Sequence, residues 1–457
     1  MSNIAGEQAL DRVNTFSRPS DLRITDVEFC DIKGAPMHCI LLKIKTNQGL
    51  EGYGEIRDGS DRLFGQMLVS RLIGQNPCDI DKIFRRIKQF GGHARQAGGV
   101  CGVEVALWDL AGKAYGMPVY QMLGGKFRDT VRVYCDTDND GSADGHAMGE
   151  RILERLALGF TFVKMDLGIN LLNGTPNTLN APLGLLDSMH KASREGWSTR
   201  GAMDAESIRK RILGYDAYNV MHPFTGIQIT EKGLDIMEKY VHDVREVIGY
   251  EVPLALDHFG HIGIDSCIRL GRRLEAYNIA WLEDMVPWQF PELFRRLNQE
   301  VNIPICTGED IYLKENFKPL LENGGVSVIH PDVLSSGGIL ENKKIGDMAQ
   351  DYGVAMAVHM AESPIACLAA AHSVASTENF LALEFHSVDV PWWGDMAKTN
   401  YSSIIDHGFI TLNDDPGLGI QSLNDEVLEQ HKSQRYGTLW EDSKLWQSTD
   451  CWDRLWS

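Results

Sequence analysis

The sequence predicts an α/β protein, a parallel TIM-type barrel behind an α+β N-terminal domain, and three observations predict it. From about Thr130 onward, short apolar stretches alternate with amphipathic helical stretches, as βα units around a parallel sheet do. Eight such strands can be read over roughly 250 residues, the usual span of a TIM barrel. Acidic residues also recur in step, with Asp257, Glu283 and Glu309 standing 26 positions apart at the ends of three successive strands.

The N-terminal domain is read as residues 1–129. Within it, Ile24 to Gly52 alternates apolar and polar residues in two runs, Val27–Ile32 and Cys39–Ile44, which predicts a half-buried antiparallel meander. Val103–Tyr115 repeats apolar residues at helical spacing (Val103, Leu107, Leu110, Ala111, Ala114). The barrel is read as 130–390, with strands at Val131–Cys135, Phe162–Leu167, Leu254–Phe259, Ala280–Met285, Pro304–Gly308, Ser327–Val333, Ala355–Met360 and Leu381–His386. Between the second strand and its helix, Glu231–Ile248, lie about sixty residues, far more than a βα loop needs. This insertion, about 168–230, holds turn residues at Asn173–Pro176 and helical pieces at Leu183–Ala192 and Ala205–Leu213, so it is expected to be ordered, covering substrate or making oligomer contacts. In the C-terminal segment, 391–457, Gly408–Gly419 predicts a final strand and turn returning to the first domain. The Trp-rich tail Asp442–Ser457 carries no readable chemistry.

Of the 457 residues, 43% are hydrophobic and 23% charged, enough for a large core in a globular protein. The formal charge of −19 is spread along the chain and disfavours nucleic acid and anionic membranes as partners. Asn3–Thr15 has no apolar leader core and no later segment is apolar enough to span a bilayer, so a cytoplasmic location is expected. Nine scattered cysteines with no CxxC pair read as reduced, buried thiols.

A lone strand-end carboxylate often caps a helix or pairs with Lys or Arg. Three in register repel one another, and a hard cation such as Mg²⁺ relieves that repulsion, so Asp257, Glu283 and Glu309 read as metal ligands. Lys164 and Asp166, two apart on the second strand, point to one side; they read either as a base with its neighbour or as a structural ion pair. Asp332 and His359 end adjacent strands, within hydrogen-bonding reach, where a carboxylate on one imidazole nitrogen supports proton transfer at the other. Glu384, on the eighth strand, reads as a donor to a substrate carboxylate if protonated, or as a cap on the barrel. His258 and His261, just after the first carboxylate, read as a second acid or as structural residues.

With Val103–Gly125 (VEVALWDLAGKAYGMPVYQMLGG), the register of Asp257, Glu283 and Glu309, the pair Asp332 and His359, Glu384 and the closing DDPGLG, the chain resembles the enolase superfamily, in its mandelate racemase subgroup. The resemblance runs over nearly the whole chain. It implies a (β/α)7β barrel under an α+β capping domain and one Mg²⁺ per subunit, with Mn²⁺ as an alternative. It also implies removal of the proton α to a carboxylate to give an enediolate, a specificity site from loops Lys33–His38 and Glu55–Arg62, and a homo-oligomer between dimer and octamer. Where the subgroup often carries Lys-x-Lys on the second strand, this chain has Lys164-Met165-Asp166, which weakens a two-base racemase and favours chemistry relying on His359. The expected function is dehydration of an acid sugar to a 2-keto-3-deoxy acid. A racemase, epimerase or lactone cycloisomerase on the same substrates, and a non-catalytic sugar-acid-binding homologue, are the alternatives.

Overall fold

The structure, a computed structural model, describes residues 17–448 apart from 139–142, 173, 182–183, 200–202, 218–222 and 258–261. His258, His261, Phe259 at the end of the third expected strand, Asn173, Leu183, the leader reading of Asn3–Thr15 and the end of the tail lie outside the described residues.

Three antiparallel strands come first: β1 (Ile24–Lys33), β2 (His38–Thr46) and β3 (Glu51–Ile56), followed by the helix α1 (Gly98–Tyr115). The barrel strands and their helices follow in alternation: β4 (Thr130–Thr137), α2 (Gly145–Ala157), β5 (Val163–Asp166), the insertion helices α3 (Leu185–Ser198) and α4 (Ala205–Ala217), then α5 (Glu231–Ile248). After them come β6 (Leu254–Asp257), α6 (Ile264–Leu274), β7 (Ile279–Glu283), α7 (Pro291–Glu300), β8 (Ile305–Thr307), α8 (Lys314–Glu322), β9 (Val328–Ile329), α9 (Ile339–Asp351), β10 (Ala355–Val358), α10 (Pro364–Ala375) and β11 (Phe380–Phe385). Eight strands from β4 to β11, seven of them followed by a helix, make the (β/α)7β type of modified TIM barrel with an α+β capping domain.

By compactness the chain divides into two units, one of Met1–Arg132, Glu309–Phe317 and His330–Ser457, the other of Val133–Gly308 and Lys318–Ile329. In the first unit, the meander pairs Phe29 with Leu42 and Leu42 with Gly54, and its last strand lies against α1. Glycine makes this contact possible: a Cβ on Gly52 would come within 2.3 Å of the Ala106 carbonyl oxygen, and one on Gly54 within 2.0 Å of the Gly102 carbonyl oxygen. The same constraint explains why α1 begins at Gly98, earlier than the expected Val103. Gly98, Gly99 and Gly102 are poor helix formers, yet a Cβ on them would meet Arg57 N, the Phe64 carbonyl oxygen and the Glu55 carbonyl oxygen at 2.7, 2.1 and 2.4 Å. Close packing outweighs propensity there.

Farther along α1, Asp109 accepts from the amides of Tyr53 and Leu418, both at 2.9 Å, which ties the helix to β3 and to the DPGLG turn. Glu104 reaches the N-terminus of α9, where its carboxylate accepts the amides of Ile339 (2.7 Å) and Leu340 (3.1 Å) as well as Trp108 Nε1 (2.7 Å). In the C-terminal segment Phe409–Thr411 pairs with Thr130–Arg132 of β4, while Lys432 and Glu441 bridge to Ile32 and Phe29 of β1. β10 and β11 pair in parallel in this unit.

In the second unit six strands, β4 to β9, pair in parallel in chain order. Tyr134, Phe162 and Trp281 pack edge-on or tilted within 5.6 Å of one another beneath the strand ends. The insertion is closed at its base, where Leu179 bridges Ile229 and the Thr230 amide donates to the Thr178 carbonyl at 2.9 Å. Inside it, α3 and α4 approach closely at Gly196 and Gly214; a Cβ on Gly214 would lie 2.8 Å from the Ala192 carbonyl oxygen. Among the described residues the eight cysteines are free, seven of them buried, and no helix is long and apolar enough to cross a membrane.

Glu104→Ala strips the first amides of α9 of their acceptor, so it is expected to destabilise the protein by about 2–4 kcal/mol. Hydrogen exchange at Ile339 and Leu340 is expected to rise with it; protection unchanged at both amides refutes the capping role.

Candidate active site

Strand ends place the candidate residues in two groups, one in each unit. In the second unit, Lys164 on β5 is fully buried and its ammonium donates to Asp257 Oδ2 at 2.8 Å and Glu283 Oε1 at 3.2 Å. Trp281 Nε1 holds the other Glu283 oxygen at 2.8 Å. The parallel register sets Asp166 opposite Asp257 and Glu283 opposite Cys306. Two buried carboxylates thus share one ammonium, and the excess negative charge and all-oxygen donor set suit a hard divalent cation. Burial pushes the Cys306 thiol well up, with the neighbouring Glu283 charge adding to it, so it is an inert core residue.

The first unit gathers Glu309, Asp332 and His359 around a residue that sequence reasoning missed, Arg57, with Glu384 on the far side of His359 at 3.9 Å from its Nε2. Its guanidinium is fully buried. Nη1 donates to Asp332, lies 3.1 Å from Glu362 Oε1 and 2.7 Å from His359 Nδ1; Nη2 lies 3.5 Å from Glu309 Oε1 and Nε 3.2 Å from Asp58 Oδ1. Burial works against the arginine charge, but Asp332, Asp58, Glu362 and Glu309 together outweigh it and hold the guanidinium protonated. The β3 residue two before it, Glu55, fixes the same region from another side. Its carboxyl accepts the Ser363 hydroxyl and the amides of Ser363 (3.2 Å) and Ala366 (3.3 Å) at the start of α10, and burial pushes it up to about 7.

His359 bridges parallel to Asp332, and its Nδ1 lies 2.6 Å from Asp332 Oδ2. Its Nε2 lies 3.1 Å from Glu309 Oε2. Burial, reinforced by the Arg57 charge, pulls the imidazole well below its ordinary value, so His359 is neutral at pH 7. Burial also pushes the Asp332 carboxyl up to about 6, against the opposing pull of Arg57, and pushes Glu362 well above the carboxylate range, with Asp332 adding to it. Glu384 is fully buried among imidazoles: His386 Nε2 is 3.1 Å from it, His330 Nε2 3.4 Å and His359 Nε2 3.9 Å.

The unannounced members of this group left uneven traces in the sequence. His330 stands two before Asp332 and His386 two after Glu384, spacing that puts each on the same side of its strand as the acid. Arg57 and Glu362 left none, because a charged loop residue ordinarily reads as solvated. Of the two expected specificity loops, 55–62 delivers Arg57, and Ala35 in 33–38 accepts the Ser387 hydroxyl at 3.1 Å just after β11.

Residues 29–124 match the N-terminal domain of the mandelate racemase / muconate lactonizing enzyme family, and residues 203–426 match the enolase C-terminal domain-like family. A D-xylonate dehydratase of Haloferax volcanii is 31% identical over 434 residues, covering 93% of this chain and 92% of that protein. A D-galactonate dehydratase of Ralstonia pickettii is 29% identical over 408 residues, covering 87% and 92%. Among solved structures, a mandelate racemase/muconate lactonizing enzyme-like protein from Rubrobacter xylanophilus is similar with a TM-score of 0.74 and 27% identity, covering 91% of this chain and 99% of that one.

Arg57→Met leaves Asp332, Glu362 and Asp58 buried without their shared counter-charge, a change expected to cost about 3–5 kcal/mol. Without the guanidinium the folded-state carboxyl pKa values rise further, so the deficit against wild type is largest above about pH 7. It shrinks as pH falls through about 6, where Asp332 takes up a proton. Thermal unfolding from pH 5 to 8 checks this, and a deficit independent of pH refutes the charge-matching account.

Proposed function

Because the chain belongs to the mandelate racemase / muconate lactonizing enzyme family of the enolase superfamily, we propose that it is a sugar-acid dehydratase. It removes the proton α to the carboxylate of an aldonic or aldaric acid and expels the β-hydroxyl, giving a 2-keto-3-deoxy acid. The observation that carries this reading is the buried pair of His359 and Asp332, 2.6 Å apart. The Nδ1 proton goes to Asp332, the Nε2 lone pair takes the substrate proton, and the carboxylate supports the imidazolium that results. Burial that keeps His359 uncharged in the resting protein makes it a base rather than an acid at that moment.

Asp257, Glu283 and Glu309 are the proposed ligands of a divalent cation, Mg²⁺ or Mn²⁺, supported by their strand-end spacing and by their oxygen donors. When bound, such an ion supplies charge stabilisation for the enediolate form of the substrate. Asp166 stands where the subgroup often carries the second lysine of Lys-x-Lys, and Lys164 is engaged with Asp257 and Glu283. That supports elimination over a two-base racemisation or epimerisation. The proposed setting is a small-molecule enzyme of the cytoplasm, assembled as a homo-oligomer.

Aldonic and aldaric acids, with D-xylonate and D-galactonate included, are the substrates to screen with Mg²⁺, scored for 2-keto acid. Keto acid is expected from at least one; none from any of them sinks the dehydratase reading. On the active substrate His359→Asn is expected to lower kcat by about 10²–10⁴-fold with metal affinity retained. Exhaustive chelation is expected to abolish turnover and added Mg²⁺ to restore it, and turnover that survives chelation overturns the metal assignment.

A further inference from the structure

Five residues beyond Arg57, the loop that follows β3 carries a second buried arginine, Arg62, with partners of its own. Arg62 Nε donates to Asp31 Oδ2 at 2.7 Å, Nη2 donates to the same oxygen, and Nη1 donates to Glu441. Its guanidinium lies over the Tyr436 ring, 3.2 Å from the centroid. Asp31 is buried on β1, and its other carboxylate oxygen lies 3.0 Å from His38 Nε2, so the loops 33–38 and 55–62 meet at one carboxylate. The C-terminal segment closes over them: the Ser433 amide donates to the Asp31 carbonyl at 2.7 Å, Glu441 bridges to Phe29, and Arg435 Nη1 donates to Asp61 Oδ2 at 2.8 Å. The pair of Arg435 and Asp61 joins exposed side chains and adds little. Arg62 differs, because a buried guanidinium is stable only when its charge is matched, and Glu441 and the face of Tyr436 supply the part that Asp31 does not.

We infer that Tyr436 and Glu441 are positioning residues: by closing over Arg62 they hold the loop that keeps Arg57 against Asp332 and His359. The loop transmits position because it is short and bonded to itself. The Ser60 amide donates to the Arg57 carbonyl at 3.2 Å, and the Gly65 and Gln66 amides both donate to the Arg62 carbonyl at 2.9 Å. At the other end, Arg57 Nη1 donates to Asp332 and lies 2.7 Å from His359 Nδ1. A misplacement of about 1 Å at the reacting groups is enough to cost up to about 10²-fold in rate, so slack at Arg62 is felt at the base. The role of His359 comes from the dehydratase reading, on which the kinetic half of this inference rests.

Tyr436→Ala and Glu441→Gln remove the closure and leave every candidate site residue in place. Tyr436→Phe keeps the ring, and Trp440→Leu removes a C-terminal contact with Lys43 of β2 rather than with the loop. In the double variant Tyr436→Ala/Glu441→Gln, amide exchange at Ser60 and Gly65 is expected to quicken about tenfold or more, with the amides of β2 unchanged. On the active sugar acid its kcat is expected to fall about 10–10²-fold, and exchange of the α-proton with D₂O to fall in parallel, while KM stays within about threefold. Tyr436→Phe and Trp440→Leu are expected to stay within about twofold of wild type. Each single substitution is expected to show the same pattern in smaller degree, and carries the comparison if the double variant does not fold. Unchanged kcat in the folded variants, a loss carried by KM alone, a kinetic loss without faster exchange at Ser60 and Gly65, or an equal loss in Trp440→Leu overturns the inference. Wild-type protein that exchanges the α-proton but forms no keto acid overturns the dehydratase reading instead, and the positioning role is then judged on that exchange and on the two amides.

Discussion

Arg57 carries a full positive charge into a region where its side chain has no exposed surface, and removing such a charge from water costs several kcal/mol unless it is matched. The match comes from segments distant in sequence: Asp58 beside it, Glu309 after β8, Asp332 after β9 and Glu362 after β10. All four lose this partner if the end of β3 moves. Its position is set in turn by backbone packing, because Gly98 at the start of α1 leaves room for Arg57 N where any Cβ would collide. A glycine-rich stretch with poor helix propensity is therefore part of how a buried guanidinium is placed. Glu55, on the same strand, bonds to the start of α10 through Ser363 and fastens the site at a second point.

The same charge also sets the state of its neighbours. Burial alone favours the neutral forms of Asp332, Glu362 and His359, and a nearby arginine acts on the two kinds of group in opposite senses. It draws Asp332 and Glu362 back toward ionisation and pushes His359 further from it. A carboxylate and a neutral imidazole side by side is the state in which the histidine can accept a proton. Coulomb interactions with one residue thus act on both halves of the pair, and burial first, with the arginine charge added to it, keeps the imidazole neutral.

Much of this was legible in the sequence because it is periodic. Strand and helix repeats disclosed the barrel, and the regular spacing of Asp257, Glu283 and Glu309 followed from one acid per βα unit. The adjacency of Asp332 and His359 followed from the same rhythm, and the structure pairs them at 2.6 Å. Strands β8 and β9 are shorter than their apolar runs, at Ile305–Thr307 and Val328–Ile329, since residues beyond the ladder stay buried in the turns that follow. What escaped was aperiodic. Arg57 lies in a loop and Glu362 just after a strand, and both are buried only because distant segments converge on them. The early start of α1 escaped too, since glycine reads as a helix breaker until the opposing backbone is known.

The two groups of side chains imply different proton chemistry, and the difference bears on the reaction. Lys164 is flanked by Asp257 and Glu283, so its Nζ is engaged by two carboxylates. His359 is flanked by a guanidinium and shielded from water, which favours the free base. An enzyme that inverts a carbon by exchanging protons from two sides needs a base on each; one that eliminates water needs a base and an acid. Among the described residues, the titratable groups around His359 include the imidazoles of His330 and His386 and the acids Glu309, Asp332, Glu362 and Glu384. On the proposed function, a single neutral imidazole at His359 meets the need of an elimination for one base and not that of a two-sided inversion for two.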